Sequence, residues 1–203
     1  MNKYYFEGKT KEEAIETALQ ELKISKEDLI INSIEEKSGI LKKVVKIEVA
    51  NMNEIVSFIK DTISEIAKNM GIGINLEVRR RDSGISVTIF SNNNAILIGK
   101  NGKNVAALQL LIRQMVNSRL NTPLSIIVDV GNYKEKRIKS IEMLAKRLAR
   151  EAHKTQTEIT MDSMNSYERR IVHEALADDK YVYTTSIGEE PNRKVVIKLK
   201  EEK

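Results

Sequence analysis

Two glycines three residues apart interrupt an apolar stretch, ILIGKNGKNVAALQLL over 96–111. An apolar run leads in, and an apolar run at helical spacing leads out. This feature constrains the fold most: two helical pieces must meet at a sharp turn whose backbone is unobstructed by Cβ atoms. The helix that starts after Gly102 points free N–H groups and a positive dipole end into the turn. Lys100 and Lys103 add charge at the same place. Such a hinge is a short cradle for a phosphodiester backbone. Ile96, Leu97 and Ile98 can wall a groove in which bases lie.

The charge distribution points the same way. Residues 76–150 carry 14 Lys and Arg against 5 acids, a net +9, while 1–50, 51–75 and 151–203 are each near neutral. No acid occurs between Asp82 and Asp129. A basic middle module in an otherwise neutral chain is the footprint of a polyanion binder. With no cysteine, disulfides, thiolate nucleophiles and Cys-based zinc sites are excluded. The N-terminal segment has no apolar core of a leader, and no stretch reaches the length of a membrane span. A cytoplasmic protein without membrane insertion is expected.

The pattern of elements is α+β in three modules. Residues 1–50 read as a small β-α-β-β unit, with Thr10 and Glu13 in capping-box spacing before a helix and a turn at Ser38-Gly39. Residues 53–132 read as helix, β-hairpin around Asp82-Ser83-Gly84, short helix at 94–98, glycine hinge, helix from Lys103, and a strand at 125–130. The inward face of the first helix takes Ile55, Phe58, Ile59, Ile63, Ile66 and Met70. That of the helix after the hinge takes Val105, Leu108, Leu111, Ile112 and Met115. A long amphipathic helix at 134–153 presents Lys136, Lys139, Arg147 and Arg150 outward and is expected to link the middle module rigidly to the last. Residues 154–203 read as a small strand–helix–strand–strand unit.

The spacing of the hinge does not fit a P-loop, which needs a longer gap and a Ser or Thr where Asn104 stands, and the dinucleotide G-x-G-x-x-G is missing. It resembles the G-x-x-G loop of a KH domain, the module that clamps about four nucleotides of single strand. The α-β-β-α-α-β order resembles the type II KH sandwich. That resemblance makes Gly99, Lys100, Asn101, Gly102 and Lys103 backbone-contacting residues. Ile98 and Val105 become the floor for bases.

In YERRIVHEAL (167–176), Arg169 and His173 lie four apart on one helix face. Arg offers a forked donor to phosphate, and His a smaller donor with a ring that can stack. The segment resembles an R-three-H (Arg-x-x-x-His) domain, and PNRKVVI (191–197) resembles its ending. With the small N-terminal unit in front, the whole chain resembles the bacterial Jag (SpoIIIJ-associated) family. Ser166 stands where a proline is usual in that family, and Glu190 where a glycine is common. The resemblance implies an RNA-binding regulator linked to cell elongation, division or sporulation, working with a small single-KH partner protein. It adds Arg170 and Arg193 to Arg169 and His173 as nucleic-acid contacts.

Three rival readings remain open at this point. An enzyme would need a nucleophile, a base or a metal set. The two histidines, His153 and His173, have no second His at ligand spacing, and no Ser sits in a nucleophile elbow. No catalysis, metal or cofactor is therefore expected. A protein-interaction scaffold is the second reading, and exposed apolar helix faces leave a homodimer open. Single-stranded DNA is the third, because only the 2′-OH separates it from RNA.

Overall fold

Thr10 starts the first helix by accepting a hydrogen bond from the Glu13 N–H (3.2 Å). Glu13 replies one residue further back, accepting from the Lys9 N–H (2.7 Å) rather than from Thr10. The computed structural model describes residues 1–38, 43–81, 84–121 and 123–201. The chain forms two units, one up to Gly131 and one from Asn132 onward.

The first unit opens with β1 (Tyr4–Gly8), α1 (Lys11–Leu22), β2 (Leu29–Ser38) and β3 (Lys43–Asn51). The strands form an antiparallel sheet in the order β1-β3-β2. Phe6, Val45, Ile47 and Val49 meet Ala14 and Ala18 of α1 in one core. β2 runs on well past Leu29-Ile30-Ile31, the apolar residues that open it. A bulge between Ile31 and Ser33 shifts the register and hides the continuation of the alternation. The Ser38-Gly39 turn lies partly outside the described residues, because Gly39 is not among them.

Helix α2 (Met52–Asn69) begins directly after β3, with Asn51 accepting from the Asn53 N–H (2.8 Å) as its N-cap. The two segments are thus joined without a linker. Glu54, on the first turn of α2, accepts from the Asn2 N–H (2.8 Å) and from the Tyr4 hydroxyl. Arg80 donates to Asp28 and to Asn53. These contacts fasten the N-terminal sheet to α2 and to the hairpin that carries Arg80.

β4 (Ile74–Arg81) and β5 (Gly84–Ser91) form that hairpin, whose Asp82 and Ser83 lie outside the described residues. After β5 the chain runs through α3 (Asn94–Ile98), α4 (Lys103–Asn117) and β6 (Ser125–Val130). β6 returns parallel to β5, giving the order β4-β5-β6. A parallel return needs a crossover, and the helical pair around the glycines supplies it. Ile85, Val87 and Ile89 of β5 and Ile126, Val128 and Val130 of β6 are buried, as are Ile55, Ile59, Ile63 and Ala67 of α2. On α4 the buried residues are Val105, Ile112 and Val116. Leu111 is 48% exposed and Met70 46%, against expectation. The apolar arc of α4 is wider than the strip its neighbours cover, and Val116 takes the inward position.

The second unit contains α5 (Tyr133–Thr155), β7 (Ile159–Thr160), α6 (Ser166–Ala175), β8 (Val182–Ile187) and β9 (Lys194–Leu199). The sheet order is β7-β9-β8, all antiparallel. The helix read from the sequence as a connector over 134–153 is α5. Its Ile141, Ala145, Ala149 and Ala152 are buried in one core with Ile171, Val172, Val195 and Ile197. α6 starts with a full capping box: Asn165 accepts from the Glu168 N–H (3.0 Å) and Glu168 accepts from the Asn165 N–H (3.3 Å). Helix α6 therefore begins at Ser166 without the proline that is usual there.

Candidate nucleic-acid interface

The loop between α3 and α4 departs from ordinary backbone at three of its four residues. Gly99 has φ 69° and ψ 177°, Asn101 φ 54° and Gly102 φ 77°. A φ/ψ pair like that of Gly99 is nearly confined to glycine. A Cβ at Gly99 would also lie 2.5 Å from Cγ of Asn104. The Asn104 side chain fills that space and donates to the Ile96 carbonyl (2.8 Å), satisfying one of the free carbonyls at the end of α3. Asn104 thus ties the two helices together across the turn. In the sequence it stands out only as a misfit to the P-loop, because its partner eight residues away is set by the turn.

Lys100, within the loop, and Lys103, just after it, are both exposed. The loop's positive ends therefore stay at the surface, beside the N-terminus of the 15-residue α4. The apolar residues sort differently from expectation. Ile98 is half-buried, and Leu97 is 5% exposed. Val105 is 3% exposed and presents no surface to a base, so it supports the core and not the floor of a groove. Ile96 reaches solvent beside the loop, at 45%.

The Arg-x-x-x-His pair sits in the second unit, on α6. Arg169 is 8% exposed, and its guanidinium donates to the Met164 carbonyl (2.8 Å) and to Glu190 (2.7 Å). Glu190, the departure from the family pattern, is the ion partner of that buried arginine. His173 is held at both ring nitrogens, Nδ1 to the Thr184 hydroxyl (2.6 Å) and Nε2 to the Ser186 hydroxyl (2.8 Å). Burial, and then the positive charge of Arg169, push its pKa below the ordinary histidine value. Arg170 is exposed but paired with Glu174 (2.7 Å) one turn on, and Arg193 is exposed. Glu168 is buried and joined to Arg137 of α5 (2.7 Å). Most of this inward wiring does not show in the sequence, since the side-chain partners of Arg169, His173 and Glu168 across the unit stand 11 to 31 residues away.

Among the described residues, no helix is long and apolar enough to cross a membrane. Family models match three consecutive segments: a Jag N-terminus at residues 6–50, a KH domain at 54–137 and an R-three-H domain at 139–199. The last of these matches begins within α5. Among similar proteins, the RNA-binding protein KhpB of Clostridium symbiosum is 35% identical over 96% of this chain and 90% of its own. The protein of that name from Bacillus subtilis is 30% identical over 95% of this chain and 96% of its own. The one from Lactiplantibacillus plantarum is also 30% identical, over 69% of this chain and 44% of its own length. With the three domains in this order and near full-length similarity to two relatives, the chain belongs to the KhpB (Jag) family.

Proposed function

We propose that this chain binds single-stranded RNA, with the Gly99–Gly102 loop gripping the phosphate backbone. The observation that carries this reading is the loop itself: a turn with glycine at both ends, locked by Asn104, with exposed Lys100 and Lys103 at a helix N-terminus. The relatives' name as RNA-binding proteins supports the choice of RNA over DNA. In this reading Ile96 and Ile98 line the path of the bases. Lys103 and the α4 amides hold one phosphate, and Lys100 a neighbouring one. Neutralising about four phosphates gives a slope of log K against log salt near −3.

Arg169 and His173, with Arg170 and Arg193, form the second, weaker contact of the proposal. Glu190 already pairs with Arg169, so a phosphate competes with that carboxylate for the guanidinium, which makes this contact the weaker of the two. The regulatory role in cell elongation, division or sporulation, the cytoplasmic setting, the small single-KH partner and a homodimer complete the proposal.

Fluorescence anisotropy of labelled single-stranded RNA tests it. Lys100→Asp/Asn101→Asp should lose binding while keeping its circular dichroism, and matched DNA should bind more weakly. Unchanged RNA binding by this variant would remove the loop from the proposal. One observation favours a second reading, the C-terminal unit as a protein-interaction surface: the charge of Arg169 is already matched by Glu190. Wild-type protein that binds no RNA at low salt would favour that reading.

A further inference from the structure

Helix α5 carries a charged surface that neither the KH loop nor the Arg-x-x-x-His pair uses. At about 100° per residue, Lys136, Lys139, Lys146, Arg147, Arg150 and Lys154 fall within a sector of about 120°. All six are exposed. No acid falls in that sector; Glu135, Glu142 and Glu151 lie at its margins. From Lys136 to Lys154 the stripe runs about 27 Å at 1.5 Å per residue. Met143 lies near its middle and is 66% exposed, the most exposed large apolar side chain among the described residues.

A basic helix face is by default a solvated one. Three observations weigh against that default here. First, much of the charge is uncommitted. Lys139 is paired with Glu135 (2.6 Å), but among the described residues Lys146, Arg147, Arg150 and Lys154 have no ion-pair partner. Second, other cations of the same unit are already matched: Arg169 by Glu190, Arg170 by Glu174 and Arg137 by Glu168. Third, the apolar face of α5 is already buried in the core. The helix therefore cannot lie with that face in a lipid surface, which is how basic amphipathic helices bind membranes. What remains is a straight rod of charge, suited to a polyanion backbone. One flank is weakened: Lys146 and Arg150 edge a cleft whose lining includes Glu174, Asp178 and Asp179. Lys136, Arg147 and Lys154 occupy the other side of the sector.

We infer that the α5 stripe is a second RNA-contacting surface, a sequence-independent track for phosphates that adds to the footprint of the KH loop. It rests on the RNA-binding reading above. The track reads charge and not bases, because the sector holds no aromatic side chain for stacking. Met143 gives it an apolar contact for ribose.

The test uses the full chain and two labelled single-stranded RNAs across a salt series. One has about six nucleotides, enough for a KH loop, and the other about 30. Wild type should show a slope near −3 on the short RNA and near −6 on the long one, because about four further phosphates add about 0.7 each. Lys146→Gln/Arg147→Gln/Arg150→Gln/Lys154→Gln should bind the short RNA as wild type does. On the long RNA it should lose about tenfold or more at low salt, and its slope should return towards −3. Arg147→Lys/Arg150→Lys should keep the wild-type slope. Lys60→Gln/Lys68→Gln, on exposed positions of α2, controls for loss of charge in general. If the fourfold variant fails to keep its circular dichroism, Arg147→Glu alone should lower the long-RNA slope by about one. An unchanged long-RNA slope, or a loss no greater than in the α2 control, overturns the inference and leaves the KH loop standing. Wild type that binds neither RNA overturns both.

Discussion

At Gly99 the backbone leaves no room for another residue. Its φ/ψ pair costs on the order of 1–3 kcal/mol for a residue with a Cβ, and the added carbon would meet Asn104 at 2.5 Å. Gly99→Ala should therefore lower unfolding free energy by about 2 kcal/mol in urea and weaken RNA binding with it. The glycine was legible in the sequence because its neighbours were apolar and periodic on both sides. The Arg169 environment was not, because Met164 and Glu190 reach it only through the folded turn before α6 and the loop before β9. Arg169→Ala leaves the Met164 carbonyl and Glu190 without their donor. It should cost about 2 kcal/mol, the scale of charge-assisted hydrogen bonds at a buried site. If Arg169 served only as a surface phosphate contact, urea midpoints would stay put and only RNA affinity would fall.

Between elements, the turn from α3 to α4 depends on one side chain. Asn104→Ala removes the hydrogen bond to the Ile96 carbonyl and should cost about 1 kcal/mol. It also empties the space that a Cβ at Gly99 would enter. The two changes should therefore not add: Gly99→Ala in the Asn104→Ala background should cost less than alone, by about 0.5–1 kcal/mol in a double-mutant cycle. Additive costs would mean that backbone strain alone sets the penalty for the alanine. The elements themselves were largely legible. β6 and α3 begin and end where alternation, glycine and proline place them, because each is bounded by residues that cannot continue it. The length of β2 does not show in the sequence because a bulge breaks its period. Leu111 was assigned inward because a helical arc shows which residues are apolar, not how wide a strip the neighbouring helix and sheet will cover. Length and charge suggest a connector for α5 and do not show that it also packs into the second unit, where its small residues at 145, 149 and 152 let other elements close over it.

Across the whole molecule, acid should loosen the two units in different pH ranges. In the second unit, His173 sits below its ordinary pKa, so the folded form resists a proton that the unfolded chain accepts. Stability is then full above about pH 6.5 and falls as pH drops from there towards the folded pKa. In the first unit the titrating groups are carboxylates. Burial pushes the Asp28 carboxyl up, but hydrogen bonds from Arg80, Asn53 and Ser25 outweigh it and leave it below its usual range. Glu48 is held low chiefly by its hydrogen bond from Lys3, with Tyr5 and Asn32 assisting. A lowered carboxylate adds stability above its ordinary pKa of about 4 and loses it as pH falls through the folded value. Amide hydrogen exchange, corrected for intrinsic rates, separates the two. Val172 and Ile197 should begin to lose protection as pH falls below about 6.5, the ordinary histidine pKa, while Ile47 and Val49 hold until below about pH 4. His173→Gln should abolish the first loss and leave the second unchanged. Simultaneous loss in both units near pH 4 would mean that the hydroxyls of Thr184 and Ser186 accommodate the imidazolium as well as the neutral ring.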